Sequence, residues 1–175
     1  IIILAVLAIL VIYGISVNNG FETAEESVES AWAQVENQYQ RRADLIPNLV
    51  NTVQGAADFE QETLQSVIEA RSRATSITLQ ANDLNDPAKI QQFQAAQEQL
   101  SGALSRLLVS VERYPELKAN ANFRDLQAQL EGTENRITTE RKRFNDTARQ
   151  YNTEIRKFPG SLIASISGFD RKAYF

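Results

Sequence analysis

The residues that most often carry chemistry are missing from this sequence. It has neither histidine nor cysteine, which removes imidazole ligands and bases, thiolate nucleophiles, zinc sites and disulfides at once. Compartment is therefore not legible from redox chemistry. What remains is a carboxylate-only site. Helical di-iron proteins build on Glu-x-x-His, which this chain cannot supply. There is no G-x-S-x-G, no phosphate-binding loop and no G-x-G-x-x-G. No catalytic, cofactor-binding or metal-ligating residue is assigned, no cofactor is expected, and the chain is expected not to be an enzyme. Nucleic acid is not an expected partner, because the net charge is −4 and the aromatics fall at core spacing instead of alternating with bases.

Attention moves to the elements that would position any site, and first to residues 1–17. This run carries no charge, and only Tyr13, Gly14 and Ser16 depart from aliphatic character. As a helix it spans about 25 Å, slightly short of a hydrocarbon core of about 30 Å, so further apolar residues are expected upstream. A secretory signal peptide is the competing reading. No A-x-A-like cleavage site follows Ile15-Ser16-Val17-Asn18-Asn19, and the segment is expected to be retained as a membrane anchor. Ala5, Ala8 and Gly14 offer small residues for packing against a copy of itself.

Beyond the anchor, glycine and proline are scarce, and apolar residues recur at spacings of three and four. Val28, Trp32, Val35 and Tyr39 share one helical face, so the first helix should run from the membrane to about Arg42. Trp32 is expected in the core with its indole N–H bonded. Arg41 to Asn48 interrupts the run. Proline disfavours helical geometry in the residue before it, which predicts a tight connection near Asp44 to Ile46 and a new helix from Pro47. The alternative is a kink in one continuous helix.

A second helix then carries Val50, Val53, Ala57, Leu64, Val67 and Ala74. Glu60 and Arg71 interrupt its stripe, either at a wet edge, the favoured reading, or as a buried pair. That helix fades near Leu79. Asp86-Pro87 starts a third helix with a cap and a proline at its first position. Its seam runs Ile90, Phe93, Leu100, Leu104, Leu107, Val111 and Tyr114, interrupted by Gln97. After a connection over residues 116–121, Asn122 and Asp125 predict the cap of a fourth helix, with a seam from Phe123 to Phe158, ended by Pro159-Gly160.

The expected fold is all-α: an N-terminal transmembrane helix continuing into an elongated antiparallel four-helix bundle with coiled-coil-like seams, then a short apolar C-terminal tail. The domains are 1–20 as anchor, 21–160 as bundle and 161–175 as tail. Helices alternating in direction return the tail to the membrane. There it can dock on the bundle, on a neighbouring protomer or on lipid, the last ranked lowest because the tail lacks a clear charged face.

Charge is segregated. Acids dominate between Glu22 and Glu62, against Arg41 and Arg42 alone, and bases dominate after Arg124, densest at Arg141, Lys142 and Arg143. The favoured reading is that the first and last helices are neighbours, with a surface for anionic lipid or an acidic partner as the alternative. The absence of lysine and arginine from residues 18–40 leans towards an extracytoplasmic bundle. Arg149, Arg156, Lys157, Arg171 and Lys172, returning to the membrane, would suit the cytoplasmic leaflet instead.

Ala31-Trp32 with the block Arg41 to Val50, then Tyr114 to Asn120 with Phe123, Leu126-Gln127 and Thr133-Glu134-Asn135, carry a resemblance. So do Arg141, Phe144-Asn145, Tyr151-Asn152, Phe158-Pro159 and Gly168-Phe169. Together they resemble the LemA family of single-span bacterial membrane proteins over most of the chain. The departures lie around Asn82 to Pro87 and in the acidic stretch after the anchor. The resemblance implies a membrane-anchored helical bundle of the bacterial plasma membrane and supplies no activity. Relatives are associated with envelope functions, including magnetosome membrane formation. This implies a scaffold that self-associates, or else an adaptor or regulator for another membrane protein such as a protease or transporter, or one sensing a ligand between helices. The expected partners are the lipid bilayer, further copies of the chain and other membrane proteins.

Overall fold

The computed structural model describes residues 2–55 and 59–175, which are all-helical, without a strand among them. Helix α1, Ile2–Gln54, is 53 residues long, about 80 Å at the helical rise. It is followed by α2 (Gln61–Ser76), a 3-10 turn (Ala81–Asn85), α3 (Pro87–Val111), α4 (Pro115–Ala119), α5 (Ala121–Glu154) and α6 (Gly160–Ser167). The apolar side chains of α1 are uncovered from Ile2 to Ile15. From Phe21 onward the helix buries one face, at Val28, Trp32, Val35, Tyr39, Ile46, Leu49 and Val53. One sequence therefore builds a helix that is apolar all round and then amphipathic.

α1 and α5 lie antiparallel: Trp32 meets Phe144 and Arg42 meets Glu134. The expected pairing of first and last helices is observed. α2 and α3 are likewise antiparallel, joined by Gln97 to Ala74 and Ser110 to Glu60. The interior divides into two apolar clusters. The distal one takes Ile46, Leu49 and Val53 of α1, Leu64 and Val67 of α2, Leu100 and Leu107 of α3, and Phe123 and Leu130 of α5. In the proximal one α2 has ended. Leu84 of the 3-10 turn and residues of the C-terminal segment stand beside Phe21, Trp32, Phe93, Phe144 and Tyr151.

Several expectations are corrected. No connection exists at Asp44 to Ile46: α1 passes through Pro47 and continues to Gln54. Proline at 47 cannot donate to the carbonyl of Ala43, which would normally leave that buried acceptor orphaned. Arg71 Nε of α2 donates to it instead, at 2.8 Å. Arg71 is thus neither a charge at a wet edge nor half of an ion pair with Glu60. It replaces a missing helix bond. Glu60 precedes α2, is exposed, and accepts from Arg113 at 2.7 Å and Ser110 at 3.2 Å. Bonds from Thr63 and Ser110 hold its carboxyl below the usual glutamate range. Ala57, assigned to the second helix, lies outside the described residues.

Asp86 caps α3 as expected, accepting from the Ala88 and Lys89 amides. α3 stops at Val111, so Tyr114 lies beyond it, its ring 4.9 Å from Phe59. The cap of the next long helix is Asn120, which accepts from the Phe123 amide at 3.2 Å, and not Asn122. The expected connection before it contains α4, because Pro115 fits a helix start and Leu117 is buried. α5 ends at Glu154, leaving Phe158 exposed outside the seam. Trp32 is buried, yet its indole N–H has no partner among the described residues.

The Pro47 substitution is testable by a double-mutant cycle. Arg71→Met should lower unfolding stability by about 1–2 kcal/mol, the cost of an unsatisfied buried acceptor. In a Pro47→Ala background, where residue 47 can donate to Ala43, the same change should cost about 1 kcal/mol less. Chemical denaturation followed by Trp32 fluorescence reads both.

Candidate functional site

Three groups of residues depart from ordinary core packing. The first is a polar layer between the two apolar clusters, centred on Arg42, which is 2% exposed. Its position follows from spacing: Trp32, Val35, Tyr39, Arg42 and Ile46 share the buried face of α1, so the guanidinium has to enter the interior. One terminal nitrogen donates to Ser101 Oγ at 2.7 Å and Glu134 Oε2 at 2.9 Å. The other donates to the backbone carbonyl of Gln97 at 3.2 Å and to its Oε1 at 2.7 Å. Gln97 in turn donates to Ala74 O at 3.1 Å. The layer therefore ties α1, α2, α3 and α5. Arg42 also lies 5.2 Å from the Tyr39 ring centroid. Burial raises the pKa of the Tyr39 hydroxyl, while Arg141 and Arg42 draw it down. Gln97 was legible as an interruption of an apolar seam. Arg42 was quoted in a motif without a role, although its place on the stripe was the signal.

The second group fastens residues 169–175 to α5. Asn152 and Asn145 each hold one backbone position of this segment by both an acceptor and a donor. The Lys172 amide donates to Asn152 Oδ1 and Asn152 Nδ2 donates to Lys172 O, both at 2.8 Å. The Phe175 amide donates to Asn145 Oδ1 at 2.9 Å, with a longer return bond of 3.4 Å. Seven helical residues rise about 10.5 Å and three extended residues span about 10 Å, so the two asparagines match this register. Phe175 stacks on Trp32 at 5.7 Å and lies beneath Arg141 at 4.6 Å. Lys172 is buried and paired with Glu25 of α1. Tyr151 donates to Asp170 O at 3.1 Å. Its hydroxyl is pushed well above the ordinary tyrosine range by burial, then by Glu25, Asp170 and Glu22. Residues 169–175 dock on the bundle, one of the two sites expected ahead of lipid, through polar residues whose partners lie far away in sequence.

The third group is the uncovered apolar part of α1 with α6 beside it. The apolar stretch of α1 is long and hydrophobic enough to cross a membrane, with none of its 18-residue window buried. α6 packs on α1 at Gly160, where an added Cβ would lie 2.9 Å from the Phe21 ring. Leu162 and Ile166 face outward. None of the three groups assembles a nucleophile with a base, and among the described residues no cluster of three carboxylates could hold a metal ion. What this geometry can do is hold a rigid body at a fixed place on a membrane-length helix.

Breaking the polar layer should be strongly destabilising, because it strands buried polar groups. Arg42→Ala is expected to destabilise by about 3–5 kcal/mol, through loss of a buried charge whose partners are left unsatisfied. Glu134→Gln, which keeps a hydrogen-bonding oxygen on a half-exposed side chain, should cost about 1 kcal/mol. Urea unfolding midpoints read by Trp32 emission would rank them.

Comparison with known proteins finds relatives over most of the chain. The chain is 28% identical over 173 residues to magnetosome protein MamQ of Magnetospirillum gryphiswaldense, covering 90% of this chain and 64% of that one. Magnetosome protein MamQ 1 of Paramagnetospirillum magneticum matches at the same identity and coverage. Protein LemA of Metamycoplasma hominis is 22% identical over 140 residues, covering 80% of this chain and 60% of that protein. The chain thus spans less than two thirds of the length of these relatives. The LemA family model matches residues 31–175, the whole stretch that holds the polar layer, the docked C-terminal segment and α6, and the chain belongs to the LemA family.

Proposed function

We propose that this chain is a membrane-anchored, non-enzymatic scaffold that self-associates and organises a patch of bacterial envelope membrane. In this reading α1 is a single span of the plasma membrane. Helices α1, α2, α3 and α5 form an elongated antiparallel four-helix bundle on the extracytoplasmic side. The observation that carries the proposal is the uncovered apolar length of α1, joined without a break to a helical body. A helix apolar on every side needs lipid or protein around it, and Ala5 and Ala8 permit close approach of a second helix. Similarity to magnetosome proteins supports an envelope setting. The adaptor reading draws on the distal end of the bundle, where Val109 is 71% exposed in a groove with Leu108, Val111 and Phe123.

The mass of the full chain extracted in a mild detergent tests the proposal, beside a variant carrying Ala5→Leu and Ala8→Leu. A discrete oligomer that falls to monomer in the variant supports self-association through the anchor. Monomers of both, at concentrations well above cellular ones, would overturn it in favour of an adaptor.

A further inference from the structure

We infer that α6 is a second membrane-contacting element: it dips beside α1 into the outer hydrocarbon of the bilayer, so that the chain touches lipid twice. The inference rests on the reading of α1 as a span. α6 begins where Gly160 packs against Phe21 and Val17 of α1 and ends beside a groove that includes Val11, Gly14 and Ile166. It therefore points back along the anchor. On α1 that groove runs from Val11 to Asn19, so α6 lies beside the stretch from about 9 Å below Val17 to about 3 Å above it. An interfacial helix buries its apolar face to about that depth.

The composition of α6 suits the bilayer and not water. Residues 158–169 contain no charged side chain. Leu162 and Ile166, one turn apart on α6, are 59% and 86% exposed, with Ser165 exposed beside them, and Phe158 just before the helix is 82% exposed. Its C-terminus is closed by its own backbone. Gly168, at φ 78°, closes the helix in the left-handed conformation, and the Phe169 amide donates to Ala164 O at 3.0 Å. The chain then rises to put the Phe169 ring 5.5 Å from Phe21. Exposed charges flank the uncharged stretch, Arg156 and Lys157 before it and Asp170 and Arg171 after it, so that charged residues bound it on both sides. The occupant of this face is lipid, because the stretch of α1 beside it is the same uncovered apolar surface that needs the bilayer.

The native chain has no cysteine, so a single substitution is the only labelling site. Nitroxides are placed at Leu7→Cys, Ile166→Cys and Val109→Cys in the full chain reconstituted into vesicles of mixed neutral and anionic phospholipid. Collision with oxygen, which partitions into lipid, is compared with collision with a water-soluble nickel chelate. The label at 7 reports the anchor, and the label at 109 reports water. The proposal expects the label at 166 to resemble that at 7 in colliding more with oxygen than with the nickel chelate, at a shallower depth. A buried label at 7 with a label at 166 as wet as that at 109 would overturn the α6 proposal and leave the anchor intact. A wet label at 7 would overturn both. Low collision with both reagents at 166, together with spin–spin broadening between molecules, would assign the face to a second copy and also overturn it. Leu162→Cys provides a second site, and it has to give the same answer.

Discussion

The continuity of α1 from the apolar run into the bundle is the constraint on which every other position depends. Glu22 follows the last aliphatic residue, Val17, by little more than one turn, and Phe21 is already buried against the body of the protein. With no break in α1 between the apolar stretch and the body, the distance of each α1 residue from that stretch is set by helical rise, and on the proposed reading so is its height above the membrane. The two ends of the body then become distinct surfaces. The proximal end, with Trp32, Tyr151 and the segment 169–175, adjoins the membrane-length apolar stretch of α1. The distal end, with Val109 and α4, lies away from it.

The continuity of α1 through Pro47 needs a replacement for the backbone bond that proline removes. Pro47 removes one backbone bond, and Arg71 supplies another donor from a different helix. One turn earlier, Arg42 draws acceptors from α3 and α5 into a layer that divides the interior. Burying a guanidinium is costly, and its return here is positional: few registers of α3 and α5 could present Gln97, Ser101 and Glu134 to it together. The apolar clusters on either side supply stability. The layer supplies uniqueness of register.

What could be read from residues alone divides along the line between local and distant causes. Asp86-Pro87 marked a helix start because cap and proline act within three residues, and the α3 seam was legible because Ile90 to Val111 keeps one period. Pro47 misled because its compensation, Arg71, lies 24 positions away in sequence. The long helix's cap was displaced from Asn122 to Asn120 because Leu117 gained burial by forming an extra turn. The docking of residues 169–175 was foreseen only as a preference, since its hold comes from Asn145 and Asn152, whose amides look like ordinary solvated helix residues until the segment lies across them. Arg42 was visible as a charge on an apolar stripe, but its partners were not. No local pattern says which glutamate of α5 will reach it.

The rigidity of the junction between anchor and body is best measured by hydrogen exchange of the backbone amides of residues 17–24 in the membrane-reconstituted chain. A continuous α1 predicts slow exchange across the whole interval, graded smoothly into the protection of Val28 and Trp32. Rapid exchange confined to Asn18, Asn19 and Gly20 would reveal a hinge. It would contradict the fixed height of the body above the bilayer on which the account depends.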